Sequence, residues 1–300
     1  MSPLEVLMPR LSVLLPARNA QNTVGEAVSS TLRALPRDAE LVVLDDGSTD
    51  ATAARAADAG RGDARLRVES QPPSGGIAVA LNWLLAHTDS ELVGRMDADD
   101  ITLPWRFRSA LPALGRGADI VFNQVLYTTG ARTRPAVPLG ITPAAFGLHL
   151  LLTNPVSHPA MVATRAALDS VRGYRAVPAE DYDLWMRAVS AGFRLRRLGV
   201  WGLKYRVHPD QITASTTWRS ASWDNADQAE AFGDLSAALV GERLTRIVTL
   251  AQHDASTRER ELAHFADLIR TAGRRLGPVQ HAALEHRLRS RLAWARDISA

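Results

Sequence analysis

Between residues 11 and 126, short apolar runs alternate with longer stretches of helical periodicity, an order that few folds accommodate. The runs cover residues 11–15, 40–45, 66–69, 91–96 and 119–126. Between them, residues 23–35 and 77–87 place apolar side chains three and four positions apart, as a helix lying on a sheet requires. Repeats of strand and helix predict an α/β fold, a mostly parallel sheet flanked by helices. Ligands of such sheets bind beyond the carboxyl ends of the strands, where the chain leaves in loops and helix N-termini face the crevice. Those ends carry Pro16-Ala17-Arg18-Asn19, Asp45-Asp46-Gly47-Ser48-Thr49-Asp50 and Asp97-Ala98-Asp99-Asp100.

Composition narrows the chemistry. The formal charge of +3 is small for 300 residues, and Lys204 is the only lysine, so no nucleic-acid footprint stands out. The absence of cysteine removes disulfides, zinc-thiolate sites and a thiol nucleophile. Residues 1–10 form a short N-terminal segment without the basic-then-apolar order of a signal peptide, and no later apolar run reaches spanning length. A cytoplasmic protein is expected, any membrane contact being peripheral at the inner face.

Three carboxylates within Asp97-Ala98-Asp99-Asp100 repel one another unless something positive lies among them, and a divalent cation fits best. In an extended segment, Asp97 and Asp99 share a face and Asp100 points elsewhere. Taken alone, the cluster suits a solvated acidic turn or a helix cap equally well. Residues 45–50 join a strand to a helix, and Ser48, Thr49 or Asp50 can cap that helix. Capping leaves the doubled carboxylate unexplained, since an acceptor-only group there can hold a base N–H or ribose hydroxyls. Gly75-Gly76 opens a helix whose small Ala78 and Ala80 favour close packing, with Asn82 as its one polar contact. Glu180-Asp181-Tyr182-Asp183-Leu184-Trp185 begins another helix. Its dipole alone would favour carboxylates there, or one of them serves as general base. Tyr205-Arg206-Val207-His208 can bring a cation and an imidazole to the same place.

Together with Leu14-Leu15 before Pro16, Arg95-Met96 before Asp97, His158-Pro159 and Gly173-Tyr174, this ordered set resembles the family 2 glycosyltransferases, inverting enzymes of the GT-A fold, over residues 11–213. The resemblance implies that Pro16, Ala17, Arg18, Asn19 and Asp46 border a nucleotide diphosphate sugar, with Asp46 on the base, and that Asn82, Ala98 and Arg206 also contact it. Asp97 and Asp99 correspond to the DxD motif, Asp97 meeting ribose and metal, with Asp99 and His208 as further ligands of a manganese or magnesium ion. Asp181 matches the catalytic base and Glu180 its orienting neighbour. A UDP-sugar is the default donor, and a glycan, lipid-linked or small-molecule acceptor the implied partner. Sugar nucleotidyltransferases share the sheet and the acidic site but open with a Gly-rich phosphate loop and use lysines. The turn after Leu15 has no glycine. A catalytically inactive sugar-nucleotide-binding module is the remaining alternative.

Residues 128–143, rich in Pro, Gly, Thr and Arg, are expected to form a loop or mobile flap able to close over the donor. The catalytic domain is expected to run over 11–217 and a helical region over 218–300. There Leu262, Phe265 and Ile269 form one apolar stripe and Leu284, Leu288 and Leu292 another, the second with a basic flank. Packing within the chain ranks first for that stripe, an anionic membrane surface second, and pairing with its copy in a homodimer is the third role.

Overall fold

A computed structural model of the chain describes residues 9–208, 211 and 221–297. Strands β1 (Leu11–Ala17), β2 (Ala39–Asp46), β3 (Leu66–Gln71) and β4 (Leu92–Arg95) alternate with helices α1 (Val24–Ala34), α2 (Thr52–Ala59) and α3 (Ile77–Ala86). These four strands are parallel, in the order β3-β2-β1-β4. β5 (Ile101–Thr102), α4 (Arg106–Leu114), β6 (Ile120–Thr129) and β7 (Arg132–Pro135) follow, then β8 (Met161–Thr164), α6 (Arg165–Ser170) and β9 (Leu195–Arg206), with α5 (Pro143–Leu152) before β8 and α7 (Glu180–Ser190) before β9. The sheet continues from β4 through β8, β6 and β9 to β5, and its pairings there include antiparallel ones. The expected parallel sheet is thus its first half.

The odd residues of β1 and β2, among them Val13, Leu15, Leu41 and Val43, share a core with Val24, Ala27 and Val28 of α1 and Phe107 and Ala110 of α4. The even residues Leu14, Val42 and Leu44 are equally buried, and α3 packs on β1 and β2. Burial on both faces is why these strands read as continuous apolar runs.

Residues 128–143 correct an expectation. They are no free loop: β6 and β7 pair as a hairpin in register Thr129↔Arg132 around Gly130, whose φ of 56° suits the first central position of a two-residue turn. Beyond it, Trp201 Nε1 donates to the Ala136 carbonyl (2.8 Å), Gln124 Nε2 to that of Val137 (2.7 Å) and Arg197 Nη2 to that of Leu139 (3.0 Å). Pro143 then opens α5. Residue types that break helices and strands here close a hairpin.

The chain divides into two compact units. One comprises the described parts of Met1–Gly140, Val156–Ala176 and Arg197–His208, and the other those of Ile141–Pro155, Val177–Arg196 and Pro209–Ala300. The boundary expected between 217 and 218 lies outside the described residues. In the second unit α5, buried from Phe146 to Leu152, packs with α7, α8 (Ala226–Val240), α10 (Ala255–Gly273) and α11 (Pro278–Asp297). The short α9 (Ile247–Leu250) completes it. Leu262, Phe265 and Ile269 of α10 and Leu284, Leu288 and Leu292 of α11 are buried, and the two helices pack together. Trp294 meets Trp223 edge-on at 6.0 Å and carries the Arg291 guanidinium 4.0 Å above its ring. The stripe is therefore covered within the unit. Among the described residues no helix is long and apolar enough to cross a membrane. Leu288 is fully buried, so Leu288→Ala is expected to destabilise the protein by about 2–5 kcal/mol. An unchanged unfolding midpoint in chemical denaturation would show the stripe is not part of a core.

Candidate active site

Parallel pairing brings the ends of β1, β2 and β4 side by side, with Ala17 opposite Asp45 and Leu14 opposite Arg95. Pro16 and Ala17 are buried and Arg18 is exposed. Asn19 takes a φ of 50°, which Asn tolerates better than most residues, and stitches the first loop to the second. Its backbone N–H donates to Ser48 Oγ (2.9 Å) and its Oδ1 accepts from Thr49 N (2.9 Å). Asp45 Oδ1 accepts from Ser48 N (3.2 Å) as an Asx turn, and Asp50, just before the N-cap Ala51, accepts from the N–H of Thr52 (3.0 Å), the first residue of α2. The hydroxyl of Thr52 foremost holds the Asp50 carboxyl below its ordinary range. Asp46 is the carboxylate left after these turns. It accepts from Ser74 N (2.7 Å), Ser74 Oγ (2.8 Å) and Gln71 Nε2 (3.2 Å), so it anchors the loop that leads into α3.

The acidic cluster follows β4. Here the sequence expectation for Asp100 is wrong: a turn at Ala98 and Asp99, with Asp100 N donating to the Asp97 carbonyl (3.3 Å), breaks the alternation of an extended chain. Asp100 turns inward to 1% exposure, and one oxygen from each of Asp97, Asp99 and Asp100 lies within 4.8 Å of the others. Two arginines supply part of the compensating charge, and an imidazole lies beside them. Arg95 donates to Asp97 Oδ1 from Nε (3.0 Å) and Nη2 (2.5 Å), and His208 Nε2 lies 2.9 Å from Asp99 Oδ2. Arg206 donates its backbone N–H to Asp100 Oδ1 (2.9 Å) and Nη1 to the Asp99 carbonyl (2.7 Å), while Nη2 pairs with Glu26.

Asp100 Oδ2 is buried and has no hydrogen-bond partner among the described residues. Burial first, then Asp97 and Asp99, push its carboxyl well above the ordinary range. Burial also lowers the fully buried Arg106 guanidinium to about 10, against the pull of Asp100 and Asp97. An orphaned buried oxygen beside two further carboxylates and an imidazole is a hard oxygen and nitrogen set that fits a manganese or magnesium ion. A pH dependence follows. Because the folded-state pKa of Asp100 is raised, the metal-free fold loses stability as pH rises through that value, whereas metal binding requires the ionised form. The gain in unfolding temperature from manganese should therefore grow as the pH is raised through the titration of that carboxyl. A gain that grows nowhere across the pH range in which the protein stays folded would remove Asp100 from the ligand set.

Glu180 and Asp181 belong to the second unit, in the first turn of α7. Asp181 Oδ2 accepts from Asn154 Nδ2 (2.8 Å) and Oδ1 from the N–H of Tyr182 (2.7 Å). Asn154 is a partner that sequence reasoning missed, since nothing in its surroundings marks it. Asp183 is fully buried and paired with Arg187 (2.7 Å), which explains that carboxylate structurally. Asn82 spends its amide on a backbone: Nδ2 donates to the Tyr174 carbonyl (2.8 Å) and Oδ1 accepts from Tyr174 N (2.9 Å). The structure thus explains Asn82 as a clamp on Gly173-Tyr174.

Residues 12–166 match the family model described as Glycosyl transferase family 2. The succinoglycan biosynthesis protein ExoU of Rhizobium meliloti (strain 1021) is 32% identical over 284 residues, which cover 87% of this chain and 79% of that protein. The putative glycosyltransferase EpsE of Bacillus subtilis (strain 168) is 28% identical over 231 residues, covering 73% and 80%. Among solved structures, S. aureus TarS 1–349 in complex with UDP-GlcNAc superposes with a TM-score of 0.61 at 16% identity, over 97% of this chain and 90% of that one. The mannosyltransferase PcManGT of Pyrobaculum calidifontis, in complex with GDP-Man and Mn2+, gives 0.53 at 18% identity over 97% and 87%.

Proposed function

The chain belongs to glycosyl transferase family 2, and we propose that it moves the sugar of a nucleotide diphosphate donor, a UDP-sugar by default, onto an acceptor hydroxyl with inversion. The observation that carries the donor site is the buried, partnerless Asp100 oxygen beside Asp97, Asp99 and His208 at the end of β4. Asp99, Asp100 and His208 would hold a divalent cation, with Asp97 between it and the ribose. Bound there, the cation would stabilise the charge that gathers on the departing diphosphate, more in the transition state than in the ground state. Asp46 reaches the base, and Pro16, Ala17, Arg18, Asn19 and Ala98 border the nucleotide. Arg206 adds a fixed positive charge at Asp99.

Asp181 takes the proton of the acceptor hydroxyl as the new bond forms, so a single displacement inverts the anomeric carbon. Asn154 holds its Oδ2 and so orients the carboxylate. Glu180 is its acidic neighbour. The name of ExoU, a succinoglycan biosynthesis protein, favours a glycan acceptor over a small molecule, and a cytoplasmic enzyme working on a free or lipid-linked glycan at the inner face of the membrane completes this reading. Incubation with a panel of UDP- and GDP-sugars, manganese and glycan acceptors should release nucleoside diphosphate. Release of pyrophosphate from a nucleoside triphosphate and a sugar phosphate would instead identify a nucleotidyltransferase.

A further inference from the structure

Four side chains from separate parts of the sequence meet behind Asp97. Tyr174 is fixed by the Asn82 clamp, and Gly173 before it has a φ of 64° and room for no side chain, since a Cβ there would stand 2.5 Å from Asn82 Oδ1. The Tyr174 hydroxyl lies 2.9 Å from His158 Nε2, in the 3-10 turn His158–Ala160. His158 Nδ1 lies 3.4 Å from Arg95 Nη1. A guanidinium only donates, so His158 Nδ1 is the acceptor, Nε2 carries the proton, and that N–H donates to the tyrosine oxygen. The other edge of Arg95 faces Asp97, while its carbonyl accepts from Arg106 Nη2 (2.6 Å).

Tyr174, His158 and Arg95 are 4%, 8% and 5% exposed, whereas Asp97 at the end of the row is half-buried. Polar groups this deep must be paired, which alone explains why they bond. It does not explain why the row ends on a carboxylate open to the candidate site. We infer that Tyr174, His158 and Arg95 are positioning residues: Tyr174 sets the histidine ring, the ring sets the guanidinium, and the guanidinium fixes the Asp97 carboxylate for the donor. The inference rests on the assignment of Asp97 to donor binding. Arginine has many rotamers, and a chain of buried partners removes that freedom before the donor arrives.

Two measurements test it. The first needs no ligand: hydrogen exchange at Arg95 Nε, followed by NMR, reads the bond to Asp97. It should be slow in the wild type and markedly faster in Tyr174→Phe and His158→Leu, with Tyr174→Phe still unfolding in one cooperative step at a lowered midpoint, because it leaves the buried His158 N–H unpaired. Unchanged exchange in Tyr174→Phe overturns the positioning chain. The second measures affinity, with manganese present, for whichever of UDP and GDP the wild type binds more tightly. Tyr174→Phe should weaken it by about 10-fold, as removing a supporting partner of a site commonly does, and by less than about twofold when Asp97 is already Ala. Equal weakening on both backgrounds means Tyr174 acts through the fold and overturns the inference. Wild-type affinity in Asp97→Ala would overturn the donor assignment instead, a failure the exchange measurement does not share.

Discussion

Asp181→Asn is expected to lower sugar transfer by about 10²- to 10⁴-fold while leaving donor affinity nearly unchanged. The amide keeps the shape of the carboxylate and can still meet Asn154 and the Tyr182 N–H after a flip, so the fold has little to lose. What disappears is the lone pair that accepts the hydroxyl proton. Single-turnover transfer and equilibrium donor binding, measured on one preparation, separate the two effects. A collapse of donor binding together with transfer would make Asp181 a donor ligand. Asp183 is then no substitute, because it is fully buried against Arg187, and the search for the base would turn to Glu180.

The second large effect is expected at Asp99. Asp99→Ala should abolish manganese-dependent donor binding and turnover while the protein stays folded. The Asp99 side chain is 29% exposed and its hydrogen-bond partner His208 is 37% exposed, so removing the contact costs little stability. The cost to the site is large because the remaining carboxylates no longer share the cation with a third, and much of the cation affinity goes with it. Circular dichroism checks the fold and calorimetry the metal. Undiminished manganese-dependent activity would move the metal away from the cluster.

The α/β order is legible in the sequence because strands covered on both faces are apolar throughout, and β1, with all seven residues buried, announces itself. The loops at the strand ends are legible as loops because Asn, Asp, Ser and Gly cluster there, and the structure spends Asn19, Asp45, Ser48 and Asp50 on the turn hydrogen bonds such residues make. The inward turn of Asp100 is not, since alternation describes extended chain and a single turn at Ala98-Asp99 reverses it. Arg106 escapes notice for a related reason. Arginine is normally a surface residue, and only tertiary structure shows this one fully buried and donating to the Arg95 and Met161 carbonyls. His158-Pro159 and Gly173-Tyr174 are visible as motifs without a role. Their meeting, 16 positions apart in sequence, comes from the fold. Residues 128–143 mislead because proline, glycine and threonine mark hairpins as well as loops.

The central claim, a sugar-nucleotide site built around the cluster at the end of β4, is tested most directly by titrating UDP- and GDP-sugars into the wild-type chain by calorimetry, with and without manganese. One nucleotide sugar should bind in the presence of manganese, bind far more weakly after chelation, and fail to bind Asp99→Ala under either condition. Manganese-independent binding that survives in Asp99→Ala, or no binding by any nucleotide sugar, would contradict it.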